Sequence, residues 1–267
     1  MIPQIAFQNL LRNVSRTSLA APTNLFHTSF ARSANSKPSE QKNVAVVLCG
    51  CGALDGTEIT EAVSIAIHLT CLGLKPRFYA PNIDLCSPVD HLTKDPYEPP
   101  RKLNALVEAA RVARSSIKPL EELKACESVG LIIPGGFGAA RTLSDFAAKG
   151  ACCAVLPDLE RVILEFRCCS KPIGTLCIAS SIIAKVLPGA KVTLGHECPE
   201  DRWPYAAAIQ KVREMGACVE LRTVKQVTHC KRFNLYSNPA WLDSKASYAD
   251  VHEGIGKMIK MMKKSMR

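Results

Sequence analysis

The sequence predicts an α/β fold built on a mainly parallel sheet. Short apolar runs rich in β-branched residues, the first at 44–49, alternate with longer segments of helical periodicity. Within 171–181, an apolar run reaching Cys177 passes directly into a helix-compatible segment. Alternating strand and helix signals are typical of βαβ units, and a strand-to-helix corner lies where such sheets bind ligands.

The opening elements form one βαβ unit. The run 44–49 is a buried strand bounded by Gly50 and Gly52, and 75–80 is the second strand. Between them we expect a helix over 58–72, ended by Gly73. Its predicted apolar stripe is Ile59, Ala62, Val63, Ala66, Ile67 and Thr70.

The middle of the chain continues the alternation. A long loop at 81–100 precedes a helix over 102–114, with its predicted inner face formed by Leu103, Leu106, Val107 and Ala110. A connector at 119–126 leads to a strand at 128–133, a glycine-rich turn at 134–139 and a helix at 140–149. The helix 157–169 should pack through Leu159, Val162, Ile163 and Phe166.

After the strand that ends at Cys177, the pattern predicts further short elements. These are a helix over 178–186, a strand at 190–194, a helix at 203–215, and strands at 217–221 and 225–229. Residues 233–237 complete a hairpin with the segment before them. A final helix at 247–262 presents Val251, Ile255, Met258, Ile259 and Met262 on one face.

The net charge of +10 is concentrated at the two ends of the chain. Residues 1–39 hold four basic and no acidic residues, and residues 257–267 hold five basic and no acidic ones. The remainder has 25 basic residues against 24 acidic ones. We therefore expect no nucleic-acid partner for the body of the protein. No run approaches the roughly 18 apolar residues of a membrane span, so we expect none.

Residues 1–36 have the composition of a mitochondrial transit peptide. Arg12, Arg16 and Arg32 lie among Ser and Thr residues, and no acidic residue precedes Glu40. The alternative is a disordered tail with no targeting function. We predict a transit peptide and linker over 1–42, a single domain over 43–267, and a location in the mitochondrial matrix.

The cysteines indicate free thiols rather than disulfides or metal ligands. There are 13, an odd number scattered through apolar segments. Cys49 and Cys51 are separated by one residue, and no second pair stands at zinc-site spacing, so we expect no metal. Gly50 and Gly52 lack the third glycine of a dinucleotide-binding turn, so we expect no cofactor.

Cys177 is the candidate reactive residue. A corner after a strand exposes its side chain and directs the N–H groups of the following helix at it, which favours a thiolate. The alternative is one more small buried apolar residue. Gly135 and Gly136, in the turn after the preceding strand, leave backbone N–H groups free to face an anion or oxyanion; the alternative there is a tight turn without a ligand.

Three motifs together resemble the PfpI-type superfamily, relatives of class I glutamine amidotransferases. They are Cys-Gly-Ala-Leu-Asp-Gly-Thr-Glu-Ile-Thr-Glu (51–61), Pro-Gly-Gly-Phe-Gly-Ala-Ala-Arg (134–141) and the Cys177 corner. The first two are similar to the mitochondrial glutamine amidotransferase-like domain proteins and their bacterial enhancing-lycopene-biosynthesis homologues. The resemblance extends over about 43–262. It implies a flavodoxin-like three-layer sandwich and a homodimer.

The resemblance also implies roles for individual residues. Cys177 corresponds to the family's elbow cysteine and Glu61 to the acid beside its sulfur, with Glu58 as the competing candidate. The backbone of Gly136 and Ile178 corresponds to the oxyanion site. Peptidase members have a His directly after the nucleophile, where this chain has Ile178, and this departure argues against a true peptidase. His196 is a distant candidate base that a true amidotransferase would need, with a surface or capping role as its alternative.

Two functions from different classes remain open at this stage. The first is a cofactor-free glyoxalase or deglycase, in which Cys177 adds to a small reactive aldehyde and Glu61 moves the proton. The second is a non-enzymatic redox-responsive or protein-homeostasis protein whose thiol is a sensor. A vestigial site in a larger assembly is a third reading, favoured if the loop 81–100 covers Cys177. The ligand class is a small aldehyde or an anion.

Overall fold

A seven-stranded sheet lies at the centre of the computed structural model, which describes residues 41–98 and 102–267. The strands in these residues are β1 (Asn43–Val47), β2 (Lys75–Ala80), β3 (Ile117–Pro119), β4 (Leu131–Ile133), β5 (Ile173–Leu176), β6 (Lys191–Val192), β7 (Cys218–Val219), β8 (Thr228–Cys230) and β9 (Leu235–Asn238). The sheet order is β3-β2-β1-β4-β5-β9-β8, while β6 and β7 form a separate pair. Only β8 runs antiparallel to its neighbour in the large sheet.

Eight α-helices connect or flank the strands in the described part of the chain. They are α1 (Ile59–Cys71), α2 (Ala105–Val112), α3 (Phe137–Arg141), α4 (Phe146–Lys149), α5 (Pro157–Cys168), α6 (Ser180–Val186), α7 (Ala207–Glu214) and α8 (Tyr248–Lys263). None of them is long and apolar enough to cross a membrane. The predicted α/β, flavodoxin-like fold with a mainly parallel sheet is confirmed.

The central strands are buried on both faces. All four residues of β5 are buried, and the backbone of Gly174 approaches Met262 and Met258 of α8. Because side chains alternate along a strand, Ile173 and Thr175 face the opposite layer, where Thr175 meets Ser180 at the start of α6. Coverage on both faces explains why the strands are continuous apolar runs instead of alternating ones.

Two helices have the buried faces that the sequence predicts. Leu159, Val162, Ile163 and Phe166 are the buried residues of α5, as expected. The predicted face of α8 is buried too, and Ser247 and Asp250 form a capping box at its first turn. The predicted hairpin is also present, with β8 paired antiparallel to β9.

Most of the predicted stripe of α1 is wrong, although Ala62 is buried as predicted. Ile59, Val63 and Ile67 are 46%, 43% and 44% exposed, whereas the buried residues of α1 are Glu61, Ala62, Ser64, Ile65 and Leu69. Both sets recur at helical spacing, so periodicity alone does not choose between them. The contact of α1 with α8 and the burial of Glu61 at the sheet set the rotation of the helix.

Three further predictions differ from the structure. In α2 the buried residues are Ala105 and Ala109, and Val107 is 58% exposed. The helix predicted over 140–149 is two short helices, α3 and α4, because Ser144 leaves the helix to bridge with Val155. The strand β3, which pairs with β2 at the sheet edge, overlaps the start of a segment predicted as a connector.

Candidate functional site

Cys177 lies where β5 ends, in a strained backbone conformation. Its φ is +55°, in the left-handed region that side chains other than glycine seldom adopt. A short 3-10 turn at Cys177–Ala179 then leads into α6. A strained strand-to-helix corner turns Cys177 out of the strand, as the sequence predicts. The residue is nevertheless only 8% exposed.

Glu61 reaches the same place from the first turn of α1. Its side chain is fully buried, and Oε2 accepts a hydrogen bond from the backbone N–H of Gly135 at 2.7 Å. A Cβ atom placed on Gly135 would lie 3.0 Å from both Cys177 Sγ and Glu61 Oε2. The thiol and the carboxyl therefore share one small space above Gly135, which only glycine leaves open.

The predicted oxyanion donors face the sulfur. Backbone N–H groups of Ile178 and Gly136 donate toward Cys177 and lower its pKa. Gly136 has a φ of +97°, and an added Cβ would approach the carbonyl oxygen of Gly56 to 2.3 Å, so the turn needs glycine there. Gly135, predicted with the same group, differs because its N–H is already bonded to Glu61.

Glu58 is the N-cap of α1. Its Oε2 accepts a hydrogen bond from the backbone N–H of Glu61 at 2.7 Å, and its own N–H donates to the carbonyl of Gly135 at 3.0 Å. Burial raises the pKa of Glu58. The two candidate acids thus have different positions, with Glu61 beside the sulfur and Glu58 behind it at the helix end.

Burial dominates the ionisation of the site. It raises the pKa of Glu61 to about 8, the Glu58 carboxylate adding to the effect. Burial, followed by the charge of Glu61, also raises the pKa of Cys177 well above its usual value, against the N–H groups of Ile178 and Gly136. This direction is opposite to the one expected from a helix N-terminus alone. Two buried acids this close do not ionise together, so the pair carries at most one negative charge near neutral pH.

Trp241 is a site residue that sequence reasoning missed. It lies in a 3-10 turn after β9, where Ala240 has a φ of +45°, and this turn packs against the turn that carries Cys177. The backbone N–H of Trp241 lowers the pKa of Glu61 and its indole lowers that of Glu58. No sequence motif marks it, because the fold alone brings residues 240–242 to the start of α1.

Two buried polar atoms at the site have no hydrogen-bond partner among the described residues. They are Glu61 Oε1 and Trp241 Nε1. The Trp241 N–H and indole are close enough to Glu61 and Glu58 to lower their pKa values, but neither contact has the geometry of a full hydrogen bond. Unsatisfied buried polar atoms are uncommon in folded proteins and cost free energy. Their presence beside a strained cysteine is typical of a site that completes its hydrogen bonds with a ligand.

His196 lies in a different environment. Its ring is 5.3 Å from that of Trp203, and the adjacent Glu197 pairs with Arg213 of α7. These contacts favour the surface or capping role over that of a base for Cys177.

The described part of the loop 81–98 is bound to neighbouring loops. Val89 N–H donates to Asp55 at 2.9 Å, His91 accepts from the N–H of Leu54 at 3.2 Å, and Cys86 N–H donates to Thr142 at 3.1 Å. These bonds hold the loop against residues 54–55 and the segment after α3. None of them reaches Cys177, so they give no support to a loop that covers the thiol.

A flavodoxin-like sheet with a cysteine on a strand-to-helix corner, next to a buried glutamate and two backbone N–H donors, defines the amidotransferase-like class of α/β proteins. No protein-family model matches the chain. The chain is, however, similar to curated proteins. ES1 protein homolog, mitochondrial, of Rattus norvegicus is 40% identical to it, over 85% of this chain and 85% of that protein. Glutamine amidotransferase-like class 1 domain-containing protein 3, mitochondrial, of Homo sapiens is 40% identical and covers 84% of each.

A solved structure agrees with these relatives. The isoprenoid biosynthesis protein with amidotransferase-like domain from Ehrlichia chaffeensis is 30% identical, with a TM-score of 0.75 over 85% of this chain and all of that one. The chain belongs to the family of ES1 and glutamine amidotransferase-like class 1 domain mitochondrial proteins. The predicted family and the mitochondrial location are confirmed. The predicted transit peptide and most of its linker lie outside the described residues.

Proposed function

We propose that this mitochondrial protein is a cofactor-free glyoxalase or deglycase that acts on small reactive aldehydes through Cys177. The observation that carries the proposal is the convergence of the Cys177 sulfur, the Glu61 carboxyl and the N–H groups of Gly136 and Ile178 on one buried space. A thiol nucleophile, a proton carrier and oxyanion donors are what addition to an aldehyde needs.

The reactive form is the pair after loss of one proton. Glu61, with a pKa of about 8, is mostly protonated at pH 7. Once the pair is singly ionised, a proton can pass from Cys177 to Glu61, leaving a thiolate that faces a protonated carboxyl and two N–H donors. The charge of the thiolate is then stabilised by three hydrogen-bond donors instead of opposed by a carboxylate.

The reaction follows from these groups. The Cys177 sulfur bonds to the aldehyde carbon of a 2-oxoaldehyde such as methylglyoxal, and the carbonyl electron pair moves to the oxygen, which Gly136 and Ile178 hold. Protonation of that oxygen gives a hemithioacetal. Glu61, as carboxylate, removes the proton from the former aldehyde carbon and returns one to the neighbouring carbon, which produces a thioester. Water then displaces Cys177, releasing the 2-hydroxy acid and the thiol.

Methylglyoxal consumption by the purified full chain tests the proposal. Cys177→Ser and Glu61→Gln should each lower turnover by at least about a hundredfold, in the range for loss of a nucleophile or general base. Cys153→Ser, at another buried cysteine, is the matched control and should retain activity. Turnover equal to that of the wild type in both site variants would sink the enzyme proposal.

A second candidate function, a redox sensor, is favoured by the small exposure of Cys177. A residue that is only 8% exposed is more accessible to a small oxidant than to a larger substrate. With hydrogen peroxide the thiolate sulfur takes one oxygen to become a sulfenic acid, while the peroxide is reduced to water. Labelling of the sulfenic acid with a cyclic diketone, at Cys177 and in the absence of aldehyde turnover, would support the sensor over the enzyme.

The homodimer implied by the family resemblance stays a prediction. The exposed apolar residues Ile59, Val63 and Ile67 of α1 are compatible with it.

A further inference from the structure

A cavity of about 530 Å³ lies at the opposite end of the sheet from Cys177. Cys169, Ser170 and Lys171 precede β5 and Asn234 precedes β9, so the cavity is at the amino ends of these strands, while Cys177 follows the carboxyl end of β5. The remaining lining residues come from β8, the turn after it and the end of α8: His229, Lys231, Lys264, Ser265 and Arg267. The two sites therefore share no residue.

The side chains of the cavity wall carry an excess of positive charge. Lys171, Lys231, Lys264 and Arg267 line it, and no aspartate or glutamate does. Elsewhere in the described residues the lysines are often paired, as Lys225 is with Asp250 and Glu253. Among those residues Lys231, Lys264 and Arg267 form no ion pair.

The wall is held in place by hydrogen bonds. Lys171 Nζ donates to the carbonyl oxygens of Ala125 and Ser128 at 2.6 and 2.7 Å, which fixes the position of this positive charge. Asn234, with a φ of +48°, donates to the carbonyl of Ser170 at 3.0 Å and ties two of the turns together. These hydrogen bonds fix the backbone turns that line the cavity, so the turns need little reordering when a ligand binds.

The remaining walls are fixed in the same way. The Tyr236 hydroxyl and Ser265 Oγ are 2.9 Å apart, which fastens the end of α8 to β9. The His229 ring stacks on Tyr236 with centroids 4.2 Å apart, and no hydrogen bond to another described residue engages its nitrogens. Burial and the charge of Lys231 lower the pKa of His229. His229 is therefore biased towards its neutral form, and the charge of Lys231 adds to the bias.

We propose that this cavity binds a small soluble anion that carries two or more phosphate groups, such as a diphosphate or triphosphate. Its volume falls in the range of small-molecule sites, roughly 300 to 1,000 Å³. Several lysine and arginine donors around one concave space match the multiple oxygens of linked phosphates. Concavity favours a compact ligand over a flat membrane surface or a duplex.

Isothermal titration of the full chain with inorganic pyrophosphate tests the proposal. We expect saturable binding of one ligand per chain, tighter than binding of sulfate at the same ionic strength. The double variant Lys231→Gln/Lys264→Gln should weaken it at least about tenfold, because two charges facing the ligand are lost. Lys102→Gln/Lys245→Gln makes the same charge change at two lysines that pair with Asp84 and Asp201, outside the cavity, and should change affinity less than about twofold.

Cys169 gives a local readout because it lines the cavity and is exposed. Pyrophosphate should slow its alkylation, mapped at the level of single residues, and leave the exposed Cys86 of the loop 81–98 unaffected. In parallel experiments, binding of the protein to vesicles with anionic headgroups and to duplex DNA is measured. Equal weakening by the two double variants, pyrophosphate binding no tighter than sulfate, or binding only of vesicles or DNA would each overturn the proposal. None of these measurements depends on aldehyde turnover, so they test the cavity independently of the proposed glyoxalase activity.

Discussion

Glu58 accepts a hydrogen bond from the backbone N–H of Glu61, with its Oε2 at 2.7 Å from that nitrogen. Glu58 therefore caps the start of α1, the helix that carries Glu61. It also acts through its charge, because the Glu58 carboxylate raises the pKa of both Glu61 and Cys177. These two effects of Glu58 can be separated by substitution.

Glu58→Gln should shift the reactivity of Cys177 to lower pH while leaving stability almost unchanged. The amide oxygen can still cap Glu61, but the charge that opposes ionisation of the pair is gone. Glu58→Leu removes the cap as well and should cost about 1 kcal/mol of unfolding free energy. Alkylation rates across pH and urea unfolding measure the two effects. A pH profile of Glu58→Gln identical to that of the wild type would show that Glu58 acts as a cap only.

Glu61→Gln should stabilise the protein increasingly as pH rises. The pKa of Glu61 is 4.5 in its ordinary state and about 8 in the folded protein, so the unfolded chain releases this proton first. Stability is therefore lost as pH rises from 4.5 towards 8, and the glutamine variant escapes this loss. The difference in unfolding free energy between variant and wild type should grow by about 3 kcal/mol from pH 4.5 to pH 7.

Urea unfolding at several pH values measures this difference, with Glu160→Gln at an exposed position of α5 as the control. A difference that stays constant over this range would mean that Glu61 is already ionised in the folded protein. A gain in stability on removal of Glu61 is the behaviour expected of a residue kept for function.

Gly135→Ala should disable the site. The new Cβ would lie 2.4 Å from Cys177 Cβ, so the turn or the cysteine must move, at a cost of about 1 to 3 kcal/mol. The movement also breaks the hydrogen bond to Glu61. Gly130→Ala is the control, because its nearest neighbour is the flexible end of Met266 at 3.0 Å. Cys177 alkylation that is normal in Gly135→Ala would contradict the tight geometry above this glycine.

The order of the strands and helices could be predicted from the sequence, because buried parallel strands are short apolar runs and their spacing imposes crossovers. The faces of α5 and α8 could be predicted as well, since each has one apolar stripe. In α1 the chain offers two apolar stripes, and only tertiary packing selects the one that buries Glu61. The local sequence pattern therefore does not decide which stripe is buried.

Part of the site could also be predicted, where its residues lie in contiguous sequence motifs. Cys177 and the glycines belong to contiguous motifs with a fixed local geometry, and the resemblance to a family points to Glu61. Trp241 comes from a distant segment without a motif. The raised pKa of Cys177 was not predicted either. The sequence indicates a helix N-terminus after Cys177, but it does not give the degree of burial around the sulfur, which raises the pKa.

Mitochondrial import should depend on the basic residues at the amino terminus. Replacing Arg12, Arg16 and Arg32 with glutamate reverses the charge of a segment that has no acidic residue, and the protein should then remain outside the organelle. Fractionation of cells shows the location. Sequencing of the mature amino terminus should find that about 30 to 40 residues have been removed. A mature protein that still begins at Met1 would rule out a cleaved transit peptide.

Cys177 should become reactive toward a small alkylating agent as pH rises through about 8, where the Cys177–Glu61 pair loses its first proton. In the wild type the remaining charge can reside on the sulfur, because Glu61 takes the proton and Gly136 and Ile178 donate to the anion. Glu61→Leu removes the carboxyl that, when protonated, donates a hydrogen bond to the thiolate, so burial of the sulfur is less well offset and reactivity should move to higher pH. Glu61→Gln retains a donor and should fall between the two.

Cys49 is an internal control in the same experiment, because burial raises its pKa to about 12 and it should stay unmodified over this range. Peptide mapping of each cysteine across pH gives the profiles. If Cys177 proves unreactive at every pH in the folded protein, the glyoxalase and the sensor proposals fail together. If its profile is the same in Glu61→Leu as in the wild type, the two groups do not share a proton, and Glu61 loses its proposed part in the chemistry while Cys177 keeps its own.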